Sequence, residues 1–180
     1  PMIVKWALNG FGRNQLQRFA EFASPLLAFW YRGNKYIDPI DNRQYSSLLP
    51  YGYVNPRPNA LAPGSLSLER HRLLFLFIKE HTDLLKAPLK VLHIAPEVCL
   101  RRVLQKQINL EYITADLCSP WAQYHFDAHA IPFKDETFDV VIANHLLEHV
   151  QDDIRVMSEF FRVMKMGGWG IFQVPLDEKL

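Results

Sequence analysis

The 180-residue chain is 49% hydrophobic and 22% charged, with a formal net charge of +1. That is enough apolar sequence for one sizeable core, and near neutrality removes any global electrostatic ground for expecting a nucleic-acid partner. Two cysteines, Cys99 and Cys118, make no disulfide framework and point to a reducing, cytoplasmic compartment; no apolar run is long enough to span a bilayer, and no basic start leads into a cleavable secretory signal.

Pro1 before Met2 suggests a processed or engineered start. Residues 1–35 then hold Lys5, Arg13, Arg18, Arg32 and Lys35 against one acid, Glu21. Within them "RFAEFASPLLAFWYRG" is basic and strongly aromatic. Such a segment suits an anionic membrane surface or a partner protein, and equally a helix packed on the domain, where apolar stripes more often lie. Residues 36–65 are rich in proline, tyrosine and asparagine and predict a compact irregular segment with one hairpin. Residues 1–65 are therefore expected to form an N-terminal arm, and residues 66–180 an α/β domain.

The α/β part opens with "LSLERHRLLFLFIKEHTDLL". Leu66, Arg70, Leu73, Leu74, Phe77, Ile78 and His81 recur at three- and four-residue steps, which predicts an amphipathic helix capped by Ser65. From Pro88 strands and helices alternate: a strand over 89–95, a helix from Pro96 to about 107, strands over 110–116, at 124–127 and over 138–144. A helix capped by Asp152 or Asp153 follows, with a stripe of Ile154, Met157, Phe160, Phe161 and Met164, stopped by Gly167 and Gly168. The fifth strand is expected at 170–175. The almost wholly apolar "FDVVIAN" predicts a strand covered on both faces, and the alternation predicts a doubly wound, mainly parallel sheet whose ligands sit at the carboxyl ends of its strands.

Two stretches carry metal-like spacing. "NHLLEHV" holds His145, Glu148 and His149 as H-x-x-E-H, the pattern of an inverted zinc peptidase. Such an enzyme needs a third protein ligand, and only Asp152, Asp153, Glu159, Asp177 and Glu178 follow as acids. The motif also begins directly after a strand instead of lying within a long helix. Upstream, "DPID" (38–41) and "APGS" (62–65) have the separation of two zinc knuckles, with Asp38, Asp41, Ala62 and Ser65 in the cysteine places. Alanine cannot ligate, so these turns would have to hold by packing.

The run "DAHAIPFKDETFDVVIANHLLEHV" followed by "EFFRVMKMGGWGIFQVP" resembles the class I S-adenosylmethionine-dependent methyltransferases, especially their small-molecule branch. In that family H-x-x-E-H often follows the fourth strand with no metal involved. The resemblance covers about half the chain, from Val91 to Pro175. It implies a Rossmann-like methyltransferase fold and S-adenosylmethionine as cofactor, with methyl transfer to a small-molecule, glycan or lipid-precursor acceptor. Asp116, with Leu117 beside it, would receive the ribose hydroxyls. Asp127 and Ala128 would meet the adenine. Asn144 and His145 would flank the methionyl side, and no catalytic base is implied.

The first strand departs from the family wording. "HIAPEVC" places His93 where an acid is usual, and Ala95, Pro96 and Glu97 in a loop that is normally glycine-rich; Glu97 would restore the missing acid by pairing with the cofactor's ammonium. The altered loop keeps open a second reading, a catalytically inactive methyltransferase-like binding or scaffold protein. The family sheet continues past its fifth strand, so this one looks truncated there. An unprotected edge over Gly170 to Pro175 would pair with a second copy of the chain.

Overall fold

The computed structural model describes residues 13–52 and 55–175. Pro1, Met2, Lys5 and the segment from Leu176, including Asp177 and Glu178, lie outside the described residues. The chain forms two compact units, one of residues up to Thr82 with Val98–Val103, the other of Asp83–Glu97 with the remainder. The helix grouped above with the α/β part thus falls in the first unit.

In the first unit, helix α1 (Arg13–Trp30) is followed by strands β1 (Arg32–Ile37), β2 (Gln44–Tyr45), β3 (Leu49–Tyr51) and β4 (Arg57–Leu61), then helix α2 (Glu69–His81). The strands make two antiparallel pairs, β1 with β2 and β3 with β4, where the sequence predicts one hairpin. Pro25 lies inside α1 and has no N–H for the carbonyl of Glu21. That oxygen instead accepts from Ser24 Oγ at 2.9 Å and from Arg102 Nη2 at 3.4 Å.

The two knuckle-spaced turns do meet, and hydrogen bonds join them. The Asp38 carboxylate, 1% exposed, accepts from Ile40 N at 3.0 Å, from the Ser65 hydroxyl, and from Ser67 Oγ at 3.3 Å. Ser65 Oγ in turn accepts from Ser67 N at 3.0 Å. Ser65 is therefore occupied and does not cap α2. The N-cap is Leu68, whose N–H donates to His71 Nδ1 at 3.1 Å. Asp41 takes Tyr45 Oη at 3.1 Å and Arg43 N at 3.0 Å; burial pushes both its carboxyl and the Tyr45 phenol above their ordinary values.

The face that α2 buries is His71, Leu74, Phe75 and Ile78, whereas Leu73 and Phe77 are exposed. The predicted stripe is thus rotated by about one position. Arg72 explains the rotation: its Nη1 donates to Ala60 O at 3.1 Å and Ser67 O at 2.8 Å, which locks the helix about its axis.

The second unit is built on strands β5 (Leu89–Ile94), β6 (Leu110–Asp116), β7 (Tyr124–His125), β8 (Phe138–Ala143) and β9 (Met164–Ile171). Helix α3 (Val98–Leu104), which follows β5 in the chain, is grouped with the first unit up to Val103, and helix α4 (Asp153–Val163) connects β8 to β9. All pairings are parallel, in the order β7-β6-β5-β8-β9. This is the doubly wound α/β sheet predicted, and the order in which strands are added reverses between β5 and β8. Val140, Val141, Ile142 and Ala143 are all fully buried, as a contiguous apolar strand requires.

Helix α4 starts where predicted, Asp152 Oδ1 accepting from Arg155 N at 2.9 Å. It buries Val156, Phe160 and Val163 and leaves Ile154 and Phe161 exposed, again a rotated stripe. The glycines do not stop it. The chain enters β9 directly at Met164, about six residues before the predicted strand, because a bulge absorbs the extra residues: Phe138 pairs with Met164, but Val140 with Trp169. Gly167 sits in this bulge at φ +80°, and a Cβ on Gly168 would lie 2.8 Å from Asp139 O.

Candidate functional site

The strand register brings the predicted residues to one edge. Ile94 pairs with both Ala115 and Ala143, so the next residues, Ala95, Asp116 and Asn144, leave three neighbouring strands at one level. With strands about 4.8 Å apart, Asp116 and Asn144 backbones lie roughly 10 Å from each other across Ala95. Asp116 pairs with His125, which sets Asp127 two residues past the next strand. Doubly wound sheets bind ligands at the point where the strand order reverses, which here lies between β5 and β8, at the level of Ala95 and Asn144.

Each aspartate is held by turn N–H groups. Asp116 Oδ1 accepts from Cys118 N at 2.9 Å and Ser119 N at 2.7 Å, which leaves Oδ2 for a ligand. Leu117 beside it is exposed. Asp127 Oδ1 accepts from His129 N at 2.9 Å and meets its Nδ1 at 2.5 Å. These contacts hold the exposed Asp127 carboxyl below its ordinary value, so it is ionised at neutral pH. Ala128 is buried behind it.

The first loop keeps its sharp bend without glycine. Ala95 takes the left-handed conformation at φ +50°, and its N–H donates to Ala115 O at 2.8 Å. Pro96 has no N–H, so neither residue offers a backbone donor to a ligand. His93 is fully buried. Its Nδ1 lies 2.8 Å from Tyr112 Oη and its Nε2 3.1 Å from Glu97 Oε2. Glu97 does return an acid to this place, but as the partner of a buried histidine.

At the tip of β8, Asn144 is 3% exposed and neither its Oδ1 nor its Nδ2 has a protein partner. His145 follows in a left-handed conformation at φ +52°, its N–H donating to Gln173 O at 2.8 Å. His145 Nδ1 lies 3.1 Å from Glu148 Oε1, while its buried Nε2 and the buried Oε1 of Gln173 have no partner. Orphaned polar atoms on Asn144, His145 and Gln173, successive along two adjacent strand ends, are what a polar ligand would satisfy.

H-x-x-E-H therefore lies on a strained turn and a single 3-10 turn, Leu147–His149, instead of a helix. His145 faces Glu148, and among the described residues no three His, Cys, Asp or Glu converge as metal ligands. The geometry a zinc peptidase demands of this motif is not present there.

Sequence reasoning missed Tyr112, His129 and Gln173. Gln173 left a trace, a lone amide inside the apolar run "GIFQVP". Tyr112 and His129 left none, because each acts through a partner 19 or 2 residues away. Arg162 also matters to the site. It donates to both Glu159 oxygens, to Asp135, and to the carbonyls of Phe133 and Ile131, all within 2.7–2.8 Å. This clamp fastens the segment after Asp127 to α4.

Residues 87–172 match the family described as "Methyltransferase domain". A demethylmenaquinone methyltransferase of Streptomyces avermitilis is 50% identical over 42 residues, 23% of this chain and 18% of that protein. A ubiquinone/menaquinone biosynthesis C-methyltransferase of Desulfotalea psychrophila is 45% identical over 42 residues, 23% of this chain and 17% of that one. A solved protein from Pyrococcus horikoshii is 25% identical, covering 57% of each chain with a TM-score of 0.45. The chain thus spans under a fifth of these two curated relatives.

Proposed function

We propose, on the match of residues 87–172 to the methyltransferase-domain family, that the protein transfers a methyl group from S-adenosylmethionine to a small-molecule acceptor. Bound S-adenosylmethionine supplies a methyl on a positively charged sulfur, already activated for in-line transfer to a nucleophile. What remains for the protein is to orient the reactants and exclude water. In this reading Asp116 Oδ2 receives the ribose hydroxyls, a task suited to an acceptor-only carboxylate. Asp127 and Ala128 meet the adenine and its amino group. Leu117 packs beside the nucleoside.

The observation that carries the reading is Asn144. Burying both ends of an amide without partners costs about 1–3 kcal/mol per group, and a ligand in the crevice removes that cost. Next to it, His145 Nδ1 lies against Glu148 Oε1 and its Nε2 is left without a partner, a further polar atom for a ligand to satisfy. His93, Ala95, Pro96 and Glu97 close the other side by shape and by the Glu97 charge, not by backbone N–H groups.

Calorimetry with S-adenosylhomocysteine tests this. Micromolar binding that weakens at least tenfold in Asn144→Ala and in Asp116→Ala is the expected result. No heat from a folded protein would overturn it and favour the scaffold reading, to which a first loop without free N–H groups at Ala95 and Pro96 already lends weight.

A further inference from the structure

Helix α1 turns its largest apolar side chains away from its own unit. Phe19, Phe22, Leu26, Phe29 and Trp30 are 70, 86, 68, 73 and 82% exposed. At about 100° per residue, all five fall within an arc of roughly 100°. The side that packs is made of small residues, Ser24 and Ala28. A helix needed only for its own core would place these two faces the other way round.

Charge is sorted in the same sense. Glu21, the single acid of residues 1–35, points inward and faces Arg101 at 3.6 Å and Arg102 at 3.4 Å. Outside, Arg32 and Lys35 stand exposed just past the helix, and Lys35 Nζ lies 5.5 Å from the centre of the Tyr36 ring. Arg32 joins Phe29, Asn42 and Arg43 around an open groove of about 620 Å³. Arg43 is shared with Asp41 at 3.8 Å, whereas Arg32 has no ion pair among the described residues.

From this sorting we propose that the first unit docks the protein on an anionic lipid bilayer. The five-residue stripe enters the boundary between headgroups and acyl chains, and Arg32, at the mouth of its groove, meets lipid phosphate. The sequestered acid and the basic rim favour this occupant, because a bilayer sets anionic headgroups directly beside an apolar interior, the same order as exposed cations beside an apolar stripe. Phe and Trp on one face of an amphipathic helix, with cations at its edge, are what interfacial anchors present. None of the helices among the described residues is long and apolar enough to cross a membrane, so the helix lies in the interface.

Flotation of the full chain with vesicles of phosphatidylcholine, alone or mixed with phosphatidylglycerol, tests the proposal. The protein is expected to float with the mixed vesicles and to bind them less as salt rises. Phe22→Ser with Phe29→Ser is expected to cut binding by roughly a hundredfold, because each aromatic contributes about tenfold or more through buried area. Arg32→Glu should weaken binding to the mixed vesicles only. All three positions are exposed, so the variants keep the fold, and circular dichroism verifies it. Absence of flotation would overturn the proposal, as would binding indifferent to the double serine change. So would a wild-type dimer that the same change turns into monomers, since the stripe would then be a self-association face. S-adenosylhomocysteine binding is measured separately, so loss of docking and loss of the methyl-transfer reading are distinguishable.

Discussion

Replacing Asp38 by alanine removes a buried carboxylate that joins the two knuckle-spaced turns. Three donors then lose their acceptor: the Ile40 N–H and the hydroxyls of Ser65 and Ser67. At about 1–3 kcal/mol per unsatisfied buried group the gross loss is roughly 3–9 kcal/mol. Removing a buried carboxylate recovers part of this through desolvation, for a net cost of about 2–4 kcal/mol. That corresponds to roughly 30- to 700-fold more frequent opening. Asp38→Asn keeps an acceptor for the Ile40 N–H and should cost about 1 kcal/mol. Hydrogen exchange read peptide by peptide over residues 36–67 measures the change without interference from the α/β sheet. Unchanged exchange in Asp38→Ala would refute the reasoning. So would a wild-type protein whose protection over these residues collapses on adding a chelator, because a metal would then be holding the turns.

Other outcomes follow from the same geometry. Phe160 is fully buried and stacks on Phe172 with ring centres 5.1 Å apart; Phe160→Ala should cost about 3–5 kcal/mol in urea unfolding, and Phe161→Ala under about 0.5. Equal losses would contradict the observed face of α4. Ala95→Gly relieves a left-handed alanine and should stabilise the protein by about 1 kcal/mol, seen as a raised melting temperature; a lowered one would mean the bend is not strained. Arg162 holds the Glu159 carboxyl below its ordinary value. At Asp139 burial opposes ionisation, but the Lys165 ammonium and the Lys90 N–H outweigh it and lower that carboxyl too. Both native values lie below the unfolded ones, so their stabilisation is complete above about pH 5.5 and is lost as the pH falls below about 4. Urea midpoints should fall across that window, and less steeply in Glu159→Gln; a midpoint flat with pH would contradict the two pairings.

The amino-acid sequence by itself determined the parallel sheet. Strands buried on both faces must be contiguous apolar runs, and "LKVLHI" and "FDVVIA" could be read as such without knowing their neighbours. It also placed Asp116 and Asn144 at the ends of their strands, as the polar residues that close largely apolar segments, whereas Asp127, expected to end a strand over 124–127, lies two residues past β7. Only the tertiary structure decided which face each helix buries. Helices α2 and α4 carry large apolar residues around much of their circumference, so periodicity marks several stripes, and contacts such as that of Arg72 with Ala60 and Ser67 select one. The tertiary structure alone also decided that β9 begins at Met164, that Asp38 and Ser65 meet across 27 residues, and that Glu97 serves His93. Each of these depends on distant segments arriving at one place, and that depends on how the chain closes, which no local pattern records.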